Sequence, residues 1–419
     1  MDRRLTGMDG WSGPMGRAPV SRIALIGNAL PRQCGLATYT SHVLDAVRER
    51  YPALRVDFYA MNDPGAVYAY PPSVTGVIRQ DELGDYRRAA DAIVASGAEI
   101  AWVQHEFGIF GGPAGIHLLE TLERLPIPVA ITLHSVLDRP SLAQRRAMDR
   151  LIRVSDLLIV MAEKGRAILT SVYGVPERKI LVIPHGVPDR PFTAPALAKP
   201  AFGLSGYKTL LTFGLISPNK GIETMIEAMP AILAAHPDAR YVVAGATHPH
   251  LVAYAGEAYR DGLKALAERL GVADSLRWID RFLDQEELLD LIAAADIYVT
   301  PYLDLGQITS GTLAYAVALG KPVVSTAYHH AAEIIGPRNG VLVRAGAPGD
   351  FATAINRLLA DDPLRSGMAH SAYALGRTML WRRNVEATMA GFAGVLGAER
   401  PQPVSAGVRA GALFGGVEA

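Results

Sequence analysis

Eleven short apolar runs, separated by longer amphipathic ones, constrain the fold of this chain more than any other feature. The first series comprises residues 22–26, 56–60, 100–103, 129–133, 157–160 and 180–183. The second comprises 209–213, 240–244, 276–279, 297–300 and 322–325. Several are unbroken Val/Ile/Leu stretches, the pattern of strands buried on both faces of a parallel sheet. Strands alternating with helices imply βαβ units. The series also restarts: RIALIG at 22–27 and TLLTFG at 209–214 each lead through a Pro/Gly-containing loop into a helix. In the first helix Leu36, Tyr39, Val43, Leu44 and Val47 share a face. In the second Ile222, Met225, Ile226, Met229 and Leu233 do, with Pro230 costing a turn or a kink. The expected fold is α/β, with two Rossmann-like, doubly wound parallel-sheet domains facing a central cleft.

A length of 419 residues fits two such domains at about 150 residues each, with some to spare. The domain boundaries read as 21–190 for the first domain and 208–378 for the second. A Pro/Ala-rich linker at 191–207 joins them, and a late amphipathic helix falls within 379–398. Gly/Pro/Ala-rich tails at 1–20 and 399–419 are expected to be mobile.

Composition excludes several classes. Half the residues are hydrophobic, so the chain can bury large cores. Lys plus Arg and Asp plus Glu are both 41, and a neutral chain is a poor candidate for holding nucleic acid through its phosphates. The single cysteine, Cys34, builds neither a disulfide framework nor a cysteine-based zinc site within one chain. No apolar run reaches the roughly 18–20 residues of a membrane span, and the N-terminus lacks the apolar segment of a secretory signal. A cytoplasmic protein is expected, with peripheral contact at the inner face of a membrane compatible with the sequence. Oligomeric state is not readable.

Ligands of open parallel sheets bind beyond the carboxyl ends of the strands, and here nearly every strand ends in a polar, glycine-containing cluster. Gln104-His105-Glu106-Phe107-Gly108 follows 100–103, His134 follows 129–133, and Pro184-His185-Gly186 follows 180–183. Gly214 begins the loop to Lys220, and Gln307-Ile-Thr309-Ser310-Gly311 follows 297–300. Lys220, opening a helix after a Gly/Pro/Asn loop, reads either as a phosphate-binding cation or as a solvated lysine. Neither the Gly-x4-Gly-Lys-Ser/Thr phosphate loop nor the Gly-x-Gly-x-x-Gly dinucleotide pattern is present. Thr309 and Ser310 suit a helix cap, whose free amides can also hold an anion. His134 reads either as a satisfied core histidine or as a group that holds a substrate hydroxyl. His105 and Glu106 read as an acid–base pair, a metal site or a turn. His248, His250, His329 and His330 have spacings that metal sites use, but surface or loop roles fit them better. Helix capping suffices to explain Glu333. No His-Glu-x-x-His or Asp-x-Asp motif occurs, so no metal is assigned.

Several stretches resemble the retaining glycosyltransferases of family 4, the "group 1" family with the GT-B fold. In the second half they are FGLISPNKG at 213–221, DIYVTPY at 296–302 and LAYAVALGKPVVS at 313–325. In the first half they are PRQCGLATY at 31–39 and VIPHGV at 182–187. The resemblance covers about residues 20 to 395. It implies transfer of a sugar from a nucleoside diphosphate sugar, as co-substrate and with no further cofactor, to a hydroxyl of a saccharide or lipid-linked acceptor. It also implies retention at the anomeric carbon, and a C-terminal helix returning to the first domain. Lys220 matches the family lysine at the donor phosphates, His134 the histidine near the donor sugar, and Gly35 the loop that approaches the leaving phosphate. Gly214, Thr309, Ser310 and Gly311 then belong to the donor side. His105, Glu106, Phe107 and Gly108 belong to the acceptor side, with Glu106 also a candidate catalytic group.

The chain departs from the family at three positions. The family arginine after Gly214 is Leu215 here, and the two glutamates of its Glu-x7-Glu pattern are Gln307 and Tyr315. Gln307 still hydrogen-bonds but is uncharged, and Tyr315 is not a bidentate acceptor for a ribose diol. Arg281 is the candidate to replace the lost positive charge. The rival expectations are a phosphorylase or hydrolase on the same fold and a non-catalytic sugar-nucleotide binder.

Overall fold

The computed structural model describes residues 18–397. The tails expected at 1–20 and 399–419 lie outside these residues except for 18–20, where Val20 is buried. The strands are β1 (Arg22–Gly27), β2 (Arg55–Asn62), β3 (Val74–Arg79), β4 (Ile100–His105), β5 (Val129–Leu133), β6 (Leu157–Val160) and β7 (Ile180–Val182). The second half contributes β8 (Lys208–Phe213), β9 (Ala239–Ala244), β10 (Leu276–Ile279), β11 (Ile297–Thr300), β12 (Val323–Thr326) and β13 (Gly340–Val343). They form two parallel sheets of order β3-β2-β1-β4-β5-β6-β7 and β10-β9-β8-β11-β12-β13. This is the expected pair of doubly wound α/β domains.

In each sheet the strand order reverses beside the first strand, between β1 and β4 and between β8 and β11. Crossover helices leave the sheet on opposite faces at that point, so a crevice opens between the two strand ends. The switch points are built from apolar pairs, Leu25 beside Trp102 and Leu210 beside Ile297, all buried. The segments just beyond these strands are polar, because only there does the backbone emerge from the layers.

The sequence pattern overlooks β3 and β13, which are edge strands. VTGVIR at 74–79 shows a mostly exposed pattern, and Gly340 opens the four-residue β13. Both are only partly buried, so they lack the continuous apolar signal of strands covered on both faces. The helix Ile222–Ala235 runs on through Pro230. Residues 191–207, expected as an unpatterned linker, carry a short helix (Pro195–Ala198) and a 3-10 turn (Lys199–Phe202). Leu204 is buried against the core of the second half, with Ala198 and Phe202 packed beside it. Lys199 pairs with the largely buried Asp296 at 2.6 Å.

The halves are tied together beyond this connection. The helix Trp381–Gly397 lies on the first half, with Trp381, Val385, Met389 and Phe392 buried in its core. Ile308, from the loop after β11, is also buried in the first half's core. Glu333 accepts hydrogen bonds from the backbone amides of Glu163 (2.8 Å) and Lys164 (3.2 Å). It therefore caps Glu163–Ser171, a helix of the other half, where its charge complements the free amides.

Candidate active site

The two switch points meet along a continuous wall of contacts. Lys220 ends a 3-10 turn after β8, and its Nζ lies 3.9 Å from the centre of the Tyr302 ring. A ring face orients the ammonium by cation–π attraction without neutralising it. Among the described residues Lys220 forms no ion pair, so its charge is available to an anion. Tyr302, buried just past β11, meets Thr312 Oγ1 at 3.0 Å through its hydroxyl. Thr312 Oγ1 meets Ser310 Oγ at 3.1 Å. Ser310 caps the helix Gly311–Ala318 by accepting from the Leu313 amide. Gly214 faces the same threonine: a Cβ there would sit 3.2 Å from Thr312 Cγ2, and its φ of 123° is a conformation that glycine alone adopts readily.

Gly311 brings the second half against the first. A Cβ on Gly311 would lie 2.8 Å from His185 Nε2, so the close approach of imidazole and helix start requires glycine. His185 Nδ1 donates to its neighbour's carbonyl, Gly186 O, at 2.7 Å, which leaves Nε2 as the unprotonated nitrogen facing Gly311. The Tyr39 ring packs edge-on against His185, His134 and Trp381, with centroids 5.0, 4.6 and 5.0 Å away. His134 Nε2 lies 2.9 Å from Gln104 Oε1. Lys220, the Ser310–Gly311 helix start, His185 and His134 therefore line one path from β8 to β5.

The histidines of this path are neutral at pH 7. Burial lowers His185 to about 4 and His330 to about 3. It takes His134 well below the ordinary value, helped by nearby His185 and His105. The site thus presents uncharged imidazoles for hydrogen bonding, with positive charge confined to Lys220 and helix-start amides.

The structure distributes the remaining sequence candidates unevenly. Gly35 is exposed at the start of Gly35–Arg50, with open space where a side chain would be. Glu106 is half-buried, and burial raises its carboxyl, opposed by hydrogen bonds from Ser135 Oγ (2.5 Å) and the Phe107 amide (2.9 Å). Phe107 is half-buried, and Gly108 is exposed with free space beside it. Gln307 folds back on its own loop, its Nε2 donating to Thr309 O at 2.7 Å. Thr309 Oγ1 is buried with no partner.

Three further candidates are engaged within the protein itself. His105, expected at the acceptor, is fully buried, stacked on Phe110 and edge-on to Phe107, and does not reach the crevice. Tyr315, at the second glutamate position, is also buried, and its hydroxyl is spent on His42 Nδ1 of the other half at 2.7 Å. Arg281 is exposed and paired with Glu287, its Nη1 2.7 Å from Oε2. It follows the edge strand β10, two strands from β8 and roughly 10 Å away across the sheet.

Sequence reasoning missed His42, His185, Tyr302, Thr312 and His330 as site residues. His330, expected in a surface or loop role, is buried and accepts from the Ser310 amide at 2.9 Å. Only the Pro184-His185-Gly186 turn carried a signal, because it follows a strand.

Two doubly wound parallel-sheet domains, with a lysine free of ion pairs among the described residues just beyond the first strand of the second sheet, are the architecture of the GT-B class of glycosyltransferases. The chain belongs to glycosyltransferase family 4. The family described as "Glycosyltransferase Family 4" matches residues 35–190, and "Glycosyl transferases group 1" matches 207–361. The chain is 31% identical over 310 residues to D-inositol 3-phosphate glycosyltransferase 2 of Catenulispora acidiphila, covering 72% of this chain and 69% of that one. It spans 57% and 62% of the length of two further D-inositol 3-phosphate glycosyltransferases. Its fold is similar to that of sucrose-phosphate synthase from Thermosynechococcus elongatus (TM-score 0.71, 19% identity, 89% of this chain and 98% of that one). It is also similar to Anabaena HepE solved in complex with UDP (TM-score 0.70, 17% identity, 88% and 99%). Among the described residues no helix is long and apolar enough to cross a membrane.

Proposed function

We propose that this glycosyltransferase moves a hexosyl unit from a nucleoside diphosphate sugar, of the GDP-mannose or UDP-glucose type, to a hydroxyl of a saccharide or lipid-linked acceptor, with retention of configuration and without a metal. The observation that carries this reading is the Lys220 ammonium on the Tyr302 ring, whose hydroxyl connects through Thr312 to the helix start at Ser310–Gly311. As the glycosidic bond to the diphosphate breaks, negative charge grows on the leaving oxygen. A fixed cation and fixed amides stabilise that charge without reorganising. The acceptor hydroxyl passes its proton to the departing phosphate on the same face, which gives retention.

Neutral His134 and His185 hold hydroxyls rather than exchange protons, since burial keeps both unprotonated. Glu106, bonded to Ser135 at the end of β5, is the acceptor-side candidate. The burial of Tyr315 against His42 supports a donor site without the family's second carboxylate. A peripheral membrane contact would follow from a lipid-linked acceptor.

A thermal-shift plate of nucleoside diphosphates and their sugars tests the donor class, because a ligand that binds the folded state raises the melting temperature with its excess over Kd. Stabilisation by UDP or GDP and their sugars supports the reading. Stabilisation by inorganic phosphate and a sugar phosphate, with none by any nucleotide, would replace it with a phosphorylase.

A further inference from the structure

The end of β4 holds a buried amide with half of its hydrogen-bonding capacity unused. Gln104 is fully buried at the switch point, packed against Gly27 of β1. Its Oε1 faces His134 Nε2 at 2.9 Å, while its Nε2 is buried without any partner. A carboxamide oxygen only accepts, so the hydrogen of this contact sits on His134 Nε2. The other ring nitrogen, Nδ1, then carries a lone pair, and it forms no hydrogen bond among the described residues.

We propose that Gln104 is a positioning residue that fixes His134 in the Nε2-protonated neutral tautomer, so that Nδ1 accepts a hydrogen bond from a sugar hydroxyl. The assignment deepens the glycosyl-transfer reading, which places His134 at the sugar. It also restricts the ligand: Nδ1 receives a hydroxyl, and it has no hydrogen to offer a phosphate oxygen. Had the amide been turned the other way, the imidazole would present Nδ1–H and favour phosphate instead.

The groups facing His134 agree with an uncharged ring. Tyr39 lies edge-on to it, and His185 and His105 lower its affinity for a proton. An imidazolium at this position would face two further buried imidazoles, His185 and His105. A glutamate at position 104, of nearly the same shape, would place a carboxylate against His134 Nε2 and favour its protonation.

The experiment is ring 15N NMR of the full chain labelled at histidine, with His134 identified by the resonance lost in His134→Gln. Wild type is expected to show a neutral ring protonated at Nε2 throughout pH 6 to 8. Gln104→Glu is expected to shift the protonation of His134 upward by at least about one pH unit. Hydrolysis of UDP-glucose and GDP-mannose provides the second readout. Gln104→Glu should lose kcat/KM about tenfold at low pH and recover as pH rises, whereas Gln104→Leu should lose it equally at all pH values.

A wild-type ring protonated at Nδ1 overturns the proposal, whatever reaction the protein performs. Wild-type kcat/KM at every pH in both variants overturns it as well. If neither sugar nucleotide is hydrolysed, the tautomer measurement still decides about Gln104, and only the donor assignment fails. Should Gln104→Glu not fold, the wild-type spectrum remains decisive.

Discussion

The hydroxyl of Tyr315 and Nδ1 of His42 lie 2.7 Å apart, one from each half of the molecule. This contact occupies a position where resemblance to the family leads one to expect a ribose-binding glutamate. Burial lowers the His42 imidazole, so at neutral pH its Nδ1 serves as the acceptor for the phenol. Tyr315→Phe should therefore cost about 1 kcal/mol of stability by leaving that nitrogen unpaired. Urea denaturation checks this, and an unchanged midpoint would show that the contact contributes nothing.

Gly311 is expected to tolerate no side chain. Gly311→Ala places a methyl 2.8 Å from His185 Nε2 and should destabilise by about 1–3 kcal/mol while lowering donor turnover. The double variant Gly311→Ala/His185→Ala should regain part of the stability, because the ring that clashes is gone. Purely additive losses in the double-mutant cycle would refute the contact.

Ile308 links the donor-side loop to the core of the first half. Ile308→Ala should cost about 2–5 kcal/mol, as for other buried isoleucines. It should also increase proteolysis at the loop after β11. Cleavage at the wild-type rate in limited proteolysis would mean that the loop is held by other contacts.

Acid should weaken the fold well before pH 4. His105 and His185 are held down to about 4 by burial, against 6.5 for a free histidine. Between those values the unfolded chain binds more protons than the folded one, so stability rises with pH from about 4 to 6.5 and is lost on acidification. Each such histidine contributes a slope of up to about 1.4 kcal/mol per pH unit. His105→Leu, at a position with no hydrogen-bond partner on either ring nitrogen, should flatten the wild-type slope by one proton. Parallel slopes in urea titrations across this range would rule that out.

Much of the architecture was legible because parallel strands buried on both faces leave long apolar runs, as at 129–133 and 157–160, which match β5 and β6 residue for residue. The strand ends carrying His134, Lys220 and Ser310 were legible for a related reason: polar clusters recur where the backbone leaves the sheet. The partners were not. His42 and Tyr315 are 273 residues apart, and nothing in a helical face of α/β type announces that one residue of it will cross to another domain. Nor does local pattern signal that Gly311 serves a neighbouring imidazole, or that His105 turns inward between two phenylalanines. Both depend on how distant segments dock, which no short stretch of sequence encodes.

The most direct test of the donor site is turnover of a sugar nucleotide by Lys220→Ala. Loss of one fixed stabiliser of the departing diphosphate should raise the barrier by about 3 kcal/mol, on the order of a hundredfold in rate. The melting temperature should stay close to wild type, since Lys220 leans on the Tyr302 ring and enters no ion pair among the described residues. Wild-type turnover in that variant would contradict the assignment of Lys220 and, with it, the donor site drawn around Tyr302, Thr312 and Gly311.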